Sequence, residues 1–515
     1  MLFNTFQFIF IFLPISIFGI YIIQKLKITH YSYLWILFCS ICFYAMWDFF
    51  FLFLIFFTIT LNFYLGNLII KFKKKKYLIF GIISQLCILG YFKYKNFFLE
   101  NLNYLTNNSF QIENFILPLG ISFFTFKHIL YLIECYELNN KFKYNIVEYS
   151  TYITFFPHLI AGPLSKPKEI LPQIRKINFT LNNFNLGMVI FFIGLFKKVF
   201  LADTFASFAD DPFMAVENGY KISFVEAWLS MLCFTLQIYF DFSGYTDMAL
   251  GLAKIFGVTF PINFNSPYKS QSIIEFWSRW HITLSRFLKE CVYIPMGGNR
   301  KGKYLSFLFI LITMLVGGLW HGASWNFVVW GLFHAVLIII NHILKQFFNK
   351  PKKLTYFNKP KKFLKIFITF ILINFGWVIF KLNSVESIKM FFLGLFGKNG
   401  FSLNQNLERY FSNNLIIDFF NIEFKNIFYY GSSQIYFLIF GLIIVFLLPN
   451  INEIMKDYKV VLPYKNNITK DKVSKDRIKI SFNFTTRWAI FIAFVAVCAI
   501  TGISNDVKEF IYYQF

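Results

Sequence analysis

Charge is scarce in this chain. Asp, Glu, Lys and Arg make up 15% of its 515 residues, where a soluble globular domain carries about 25%. That shortfall excludes an ordinary soluble fold. Negative charge is scarcer still: 26 Asp and Glu stand against 50 Lys and Arg, a formal net charge of +24. In a soluble protein such an excess would raise nucleic acid as a partner. Here the basic residues gather in loops between apolar runs, as they do in membrane proteins. No RNA-binding motif or basic-aromatic repeat accompanies them, so no nucleic-acid partner is expected. Cysteines number only seven. Cys39 and Cys42 have redox or metal spacing, but they lie in an apolar run with no second pair and no nearby His. Neither a disulfide framework nor a metal site is expected. The chain also lacks a Gly-x-Ser-x-Gly elbow, a phosphate-cradling glycine loop and an internal repeat, which takes usual support from a serine hydrolase and from an inverted-repeat transporter. The first ten residues lack a basic stretch and a small-residue cleavage site, and read as a retained first span.

What remains is mostly apolar: 57% of residues are hydrophobic, 76 are Phe, and the mean hydropathy is +0.55. Apolar runs fall near 4–23, 33–70, 77–92, 116–135, 149–165, 184–205, 226–250, 304–320, 324–343, 363–381, 434–448 and 486–502. Asp48 divides the second into two. These predict an all-α polytopic membrane protein of about a dozen helices, some short enough to be re-entrant, in one integral domain over residues 1–515. Basic loops at Lys71 to Lys76, Lys350 to Lys365 and Lys456 to Lys479 read as cytoplasmic. That places the tail at 503–515, and both termini, on the outer face.

Residues 257 to 303 change character. Pro261, Pro267, Pro295 and the run Gly297-Gly298-Asn299-Arg300 punctuate an amphipathic stretch, in which Trp277, Trp280, Leu284 and Leu288 share a helical face away from Arg279 and Arg286. It is too polar to span lipid and predicts a helix on, or dipping into, the cytoplasmic side.

Chemistry is expected at Trp320-His321-Gly322, an imidazole in apolar sequence with glycines at 317, 318 and 322. A neutral imidazole there can take the proton of an attacking hydroxyl, since ionisable groups at membrane depth are functional by default. The alternative is a structural His bonded to a backbone carbonyl. His281 alone reads as an interfacial residue, and His334 as a helix–helix hydrogen bond. Asp241 and Asp247 could form an ion site or an acid–base pair, but six residues do not stack them on one face unless Gly244 breaks the helix. Bonds to neighbouring helix ends are the preferred reading. Arg279, Arg286, Arg300 and Lys301 could pair with phosphates of an anionic donor, or simply mark the cytoplasmic side.

Taken together, several motifs resemble the membrane-bound O-acyltransferase family, in its bacterial polysaccharide-acetylating branch. They are Leu117 to Phe123, Phe156 to Pro163, Asp241 to Asp247, Asn265 to Tyr268, Phe276 to Ser285, Pro295 to Arg300 and Trp320 to Trp325. The match is densest over 117–334. The resemblance implies a ring of tilted helices around a central tunnel, with cytosolic acetyl-CoA as acetyl donor. His321 and His281 take the family's catalytic positions. Arg279, Trp280 and Arg300 would bind the donor, and Trp320, Asn265 and His334 would support the site. The end of the chain, Phe510 to Phe515, resembles a motif whose Tyr carries the acyl group, here Tyr512 or Tyr513. The implied setting is the bacterial inner membrane. The implied partners are a periplasmic SGNH-type O-acetyltransferase and an envelope polysaccharide, peptidoglycan before alginate or another exopolysaccharide. A transporter or channel, or a non-catalytic scaffold for envelope enzymes, are the readings of other classes.

Overall fold

A computed structural model describes residues 2–511, apart from 108–109, 113–115, 138–143, 349–357, 412–416, 418–421, 426–427, 429–430, 463–477, 479, 505–507 and 509. The chain is helical almost throughout. Among the described residues the only strands are Ser402–Asn404 and Glu423–Lys425, which pair in parallel. Among the described residues, seven helices are long and apolar enough to cross a membrane: Phe8–Lys25, Phe51–Phe72, Lys75–Thr106, Leu181–Glu217, Lys303–His321, Trp325–Phe347 and Pro360–Lys381. Two apolar helices, Ser432–Leu447 and Thr486–Thr501, are shorter. This is a multi-pass membrane architecture. The expected break at Asp48 is present: Ser32–Ala45 ends, and Phe51–Phe72 begins with Asp48 accepting from the Phe50 N–H (2.8 Å).

Two expectations need correction. Residues 149–165 do not form a span. The helix Ile146–Thr154 stops at Phe155, and Phe156–Leu159 is a separate turn started by Pro157. At 1.5 Å per residue neither piece crosses a bilayer, and both are buried in protein. Nor is the 257–303 segment a surface helix. It folds into the interior as Ile273–Trp277 and Ile282–Leu288, with the break at His281, whose φ is 42°. Its arginines enter because carboxylates meet them: Arg286 pairs with Glu169 in two bonds (2.6 and 3.0 Å), and Arg279 with Glu275 (3.0 Å).

The centre is Phe224–Ile255, a helix of 32 residues that is buried along most of its length. Ser223 and Glu226 cap its start. It runs unbroken through Gly244. Against it lies Leu181–Phe196, crossing where glycines meet glycines. A Cβ on Gly194 would stand 2.7 Å from the Gly244 carbonyl, and one on Gly187 2.6 Å from that of Gly251. Small residues let the two backbones touch.

That contact gathers five charged side chains, of which Lys198, Asp241 and Asp247 are buried. After Phe196 the chain makes a π-helical turn, Lys197–Ala202. Lys197 pairs with Asp247 (2.5 Å), and Lys198 with Asp241 (2.7 Å) and Asp203 (2.9 Å). Six residues along a helix separate two side chains by roughly 120°, and consecutive residues by about 100°. Neighbouring lysines therefore reach both aspartates of one continuous helix. This bears out the reading of these aspartates as ties between helices.

Candidate active site

His321 is the last residue of Lys303–His321, and Gly322 caps that helix in an extended conformation. The closing carbonyls of a helix have no partner within it, and here another helix supplies the donors. In Lys75–Thr106 a π-helical turn at Gly90–Tyr94 presents two side chains. Lys93 Nζ donates to the carbonyls of Trp320 (2.6 Å) and His321 (3.1 Å), and the Tyr94 hydroxyl donates to that of Leu319 (2.6 Å). A cation at a helix C-terminus also meets the negative end of its dipole. The backbone that carries His321 is thus held at three consecutive carbonyls.

Aromatic rings enclose the imidazole. His321 is 4% exposed and lies edge-on to Trp330 (centroids 5.0 Å) and Phe380 (5.1 Å), with Trp320 at 4.8 Å. The helix after it can approach this closely because Gly318 faces the Phe327 carbonyl, 2.2 Å from where a Cβ would be. Lys93, His281 and His334 are all near enough to His321 to interact with its ring electrostatically.

His281 reaches the same place from the interior segment, and its ring meets Trp320 edge-on at 5.8 Å. Its left-handed backbone conformation is uncommon for a residue with a side chain, and such strain concentrates at functional sites. Asn263 holds it there. The Asn263 carboxamide oxygen lies 3.1 Å from His281 Nδ1 and accepts from the Thr283 hydroxyl (2.9 Å) and N–H (3.3 Å). A backbone N–H can only donate, so that atom is the oxygen, and His281 Nδ1 must carry the proton. Nε2 is then the basic nitrogen. This residue lies outside the spanning helices, and burial pushes its imidazole down to about 3, so it is neutral at physiological pH.

His334 differs from expectation. It makes no helix–helix hydrogen bond among the described residues: neither ring nitrogen has such a partner. The ring is instead wedged edge-on between Trp277 (5.2 Å) and Trp330 (4.7 Å). The indole N–H groups of those two tryptophans also lack a hydrogen-bond partner among the described residues. Four buried polar atoms of the Trp277, Trp330 and His334 group thus have no hydrogen-bond partner among the described residues.

The donor-binding candidates do not form one cluster. Arg279 is committed to Glu275 and to the Asn265 carbonyl (3.2 Å). Trp280 is 1% exposed and packs on Phe264 and Trp377. Arg300 is exposed on the turn Gly298–Lys301, at the opposite end of the helix that carries His321. Asn265 accepts from the Asn450 carboxamide (3.1 Å). Tyr512 and Tyr513 lie outside the described residues. A separate cavity of about 610 Å³ opens between Leu181–Phe196, Ser432–Leu447 and Thr486–Thr501. It reaches Lys197, Tyr239 and Arg487 but neither His321 nor His281.

Sequence reasoning missed Lys93 and Asn263. A lysine inside an apolar helix was signal enough for the first. The second stands two residues before Asn265 in Asn263-Phe264-Asn265, and strand-like alternation turns such neighbours to one side, which hides which of them meets the His.

The membrane-bound O-acyltransferase family matches residues 68–388. The peptidoglycan O-acetyltransferase of Helicobacter pylori is 40% identical over 440 residues, covering 78% of this chain and 81% of that protein. A probable alginate O-acetylase of Pseudomonas aeruginosa is 38% identical over 395 residues, covering 75% and 73%. A teichoic acid D-alanyltransferase of Streptococcus thermophilus is 29% identical over 293 residues, covering 53% and 70%. The matched region contains Lys93, Asn263, His281 and His321, and on these grounds the chain belongs to the membrane-bound O-acyltransferase family and is an O-acyltransferase.

Proposed function

We propose that this protein moves acetyl groups from acetyl-CoA for the O-acetylation of a cell-envelope polysaccharide, with peptidoglycan as the first candidate. The observation that carries the reading is the placement of two imidazoles from separate segments on one indole, Trp320, in surroundings that exclude water. The relatives' names supply the acyl group and the acceptor class. The identities to the peptidoglycan and alginate relatives differ by two percentage points, 40% against 38%, so the polysaccharide is assigned by experiment.

In this mechanism His321 accepts the proton of the acceptor hydroxyl as its oxygen attacks the thioester carbonyl. The new C–O bond forms and the C–S bond breaks. The thiolate leaves and recovers the proton from the imidazolium. His281 stays neutral throughout, and its Nε2 accepts a hydrogen bond that orients the acceptor. Trp277, Trp330 and His334 supply polar contacts to the reacting groups. Arg300 meets the donor's phosphates at the membrane surface, while Arg279 and Trp280 shape the segment that presents His281. The acceptor at this site is Tyr512, with Tyr513 beside it. A periplasmic SGNH-type transferase then passes the acetyl group to the glycan. The protein sits in the inner membrane with both termini outside.

The test is ester-linked acetate released by mild base, measured separately on peptidoglycan and on secreted polysaccharide. Wild type, a deletion strain and a His321→Ala strain with normal protein levels are compared. Loss from peptidoglycan in both mutants is the expected result. Loss only from secreted polysaccharide moves the substrate to that fraction, and full acetylation in the His321→Ala strain ends the mechanism.

A further inference from the structure

The last described residues pack onto the buried charges at the centre of the molecule. Asp241 uses its two oxygens on different partners. Oδ1 accepts from Lys198 Nζ at 2.7 Å, and Oδ2 accepts the backbone N–H of Ile511 at 3.0 Å. Lys198 Nζ also stands 4.8 Å above the Phe510 ring. The other side of that ring environment is Tyr245, edge-on at 4.6 Å and one turn beyond Asp241. Further out, Lys508 Nζ donates to the Asp203 carbonyl (3.5 Å). Phe510 is 2% exposed and Ile511 5%.

The chemistry of this contact is more selective than apolar packing. Lys198 carries one positive charge, whereas Asp203 and Asp241 together carry two negative ones, so the triad is formally one charge short. A second oxygen of Asp241 faces the interior and needs a donor. The tail brings one, and brings it from the backbone, so the bond fixes where the chain lies regardless of the side chain at 511. Phe510 then sets the register, because its ring meets both Lys198 and Tyr245. The next residue in the sequence is Tyr512.

We propose that Asp241, with Lys198 and Tyr245, forms a clamp that holds the C-terminal segment at one register, and that these are positioning residues for the acyl carrier at 512. The clamp itself is read from geometry. Its purpose rests on the reading of Tyr512 as carrier, and the two are tested apart.

Hydrogen–deuterium exchange of the full protein in lipid nanodiscs reads the clamp directly. In wild type, the amide of Ile511 and the peptide that holds Phe510 exchange slowly. Asp241→Asn removes the charge that Ile511 and Lys198 share, and tail exchange rises at least about tenfold while Phe224–Ile255 stays protected. Phe510→Ala leaves the buried charges intact and gives the same selective rise. If Asp241→Asn loosens the whole molecule, Phe510→Ala decides alone. A tail that exchanges freely in wild type, or that stays protected in Phe510→Ala, overturns the clamp. Acetyl transfer by the same samples tests its purpose: turnover falls at least about tenfold while KM for acetyl-CoA holds. A released tail with wild-type turnover keeps the clamp and removes Tyr512 as carrier.

Discussion

Two of the polar regions buried in this protein are built on opposite rules. Around Lys197, Lys198, Asp203, Asp241 and Asp247, charges answer charges: two pairs bridge one helix crossing at 2.5 and 2.7 Å, and Lys198–Asp203 closes within one helix at 2.9 Å. Around His321, by contrast, the polar atoms are imidazole and indole nitrogens among rings, and the nearest cation, Lys93, binds carbonyls and no carboxylate. A buried charge that meets an opposite charge on a neighbouring helix holds the two together. A buried neutral group with a nitrogen to spare can do chemistry. Polarity at depth is thus spent on architecture in one place and kept for reaction in the other.

The comparison can be broken by experiment, and the largest effect is expected at the imidazole. His321→Ala should cut acetyl transfer by a factor of about 10² to 10⁴ with no loss of thermal stability, read as turnover and as the melting midpoint in detergent. The Lys197–Asp247 pair should do the reverse. Lys197→Met leaves Asp247 buried and unpaired, which costs about 3–5 kcal/mol and shows as lower membrane levels and a lower midpoint. Adding Asp247→Leu should restore much of both. If Lys197→Met abolished turnover in a stable protein, the division between the regions would fail. At the helix crossing, Gly194→Ala should cost about 1–3 kcal/mol, because its Cβ would meet backbone at 2.6 Å. Asn263→Ala should lower turnover about tenfold with a smaller loss of stability, since the carboxamide orients His281 through about one hydrogen bond. An unchanged rate would mean that His281 takes no part.

How much of this was legible beforehand follows from what hydropathy reports. It marks where the chain is apolar, and so it found most spans, the Asp48 break and the isolation of His321. It does not say what an apolar helix packs against, because lipid and protein interior are alike to it. The pairing of Lys197 and Lys198 with Asp247 and Asp241 was therefore half visible. The aspartates read as helix ties, but their partners stand unremarked inside the apolar run 184–205. The segment at 257–303 misled for the same reason. Its arginines suggested a surface, and the carboxylates that admit Arg279 and Arg286 to the interior stand up to 117 residues away in sequence. The placing of His281 beside Trp320 depends on a backbone turn at one residue, which no periodicity encodes.

The crossing of Leu181–Glu217 with Phe224–Ile255 has a consequence for biogenesis. Alone, Leu181–Glu217 carries Lys197 with no counter-ion and Lys198 with Asp203 only, and Phe224–Ile255 carries Asp241 and Asp247 without their lysines, where an unpaired charge at mid-membrane costs about 2.5–3.5 kcal/mol. Together they neutralise most of that penalty, and only residues 218–223 separate them. The two should leave the translocon as one hairpin, so that a lesion in either strands its neighbour. The order of synthesis thereby becomes part of how the centre of the molecule is assembled.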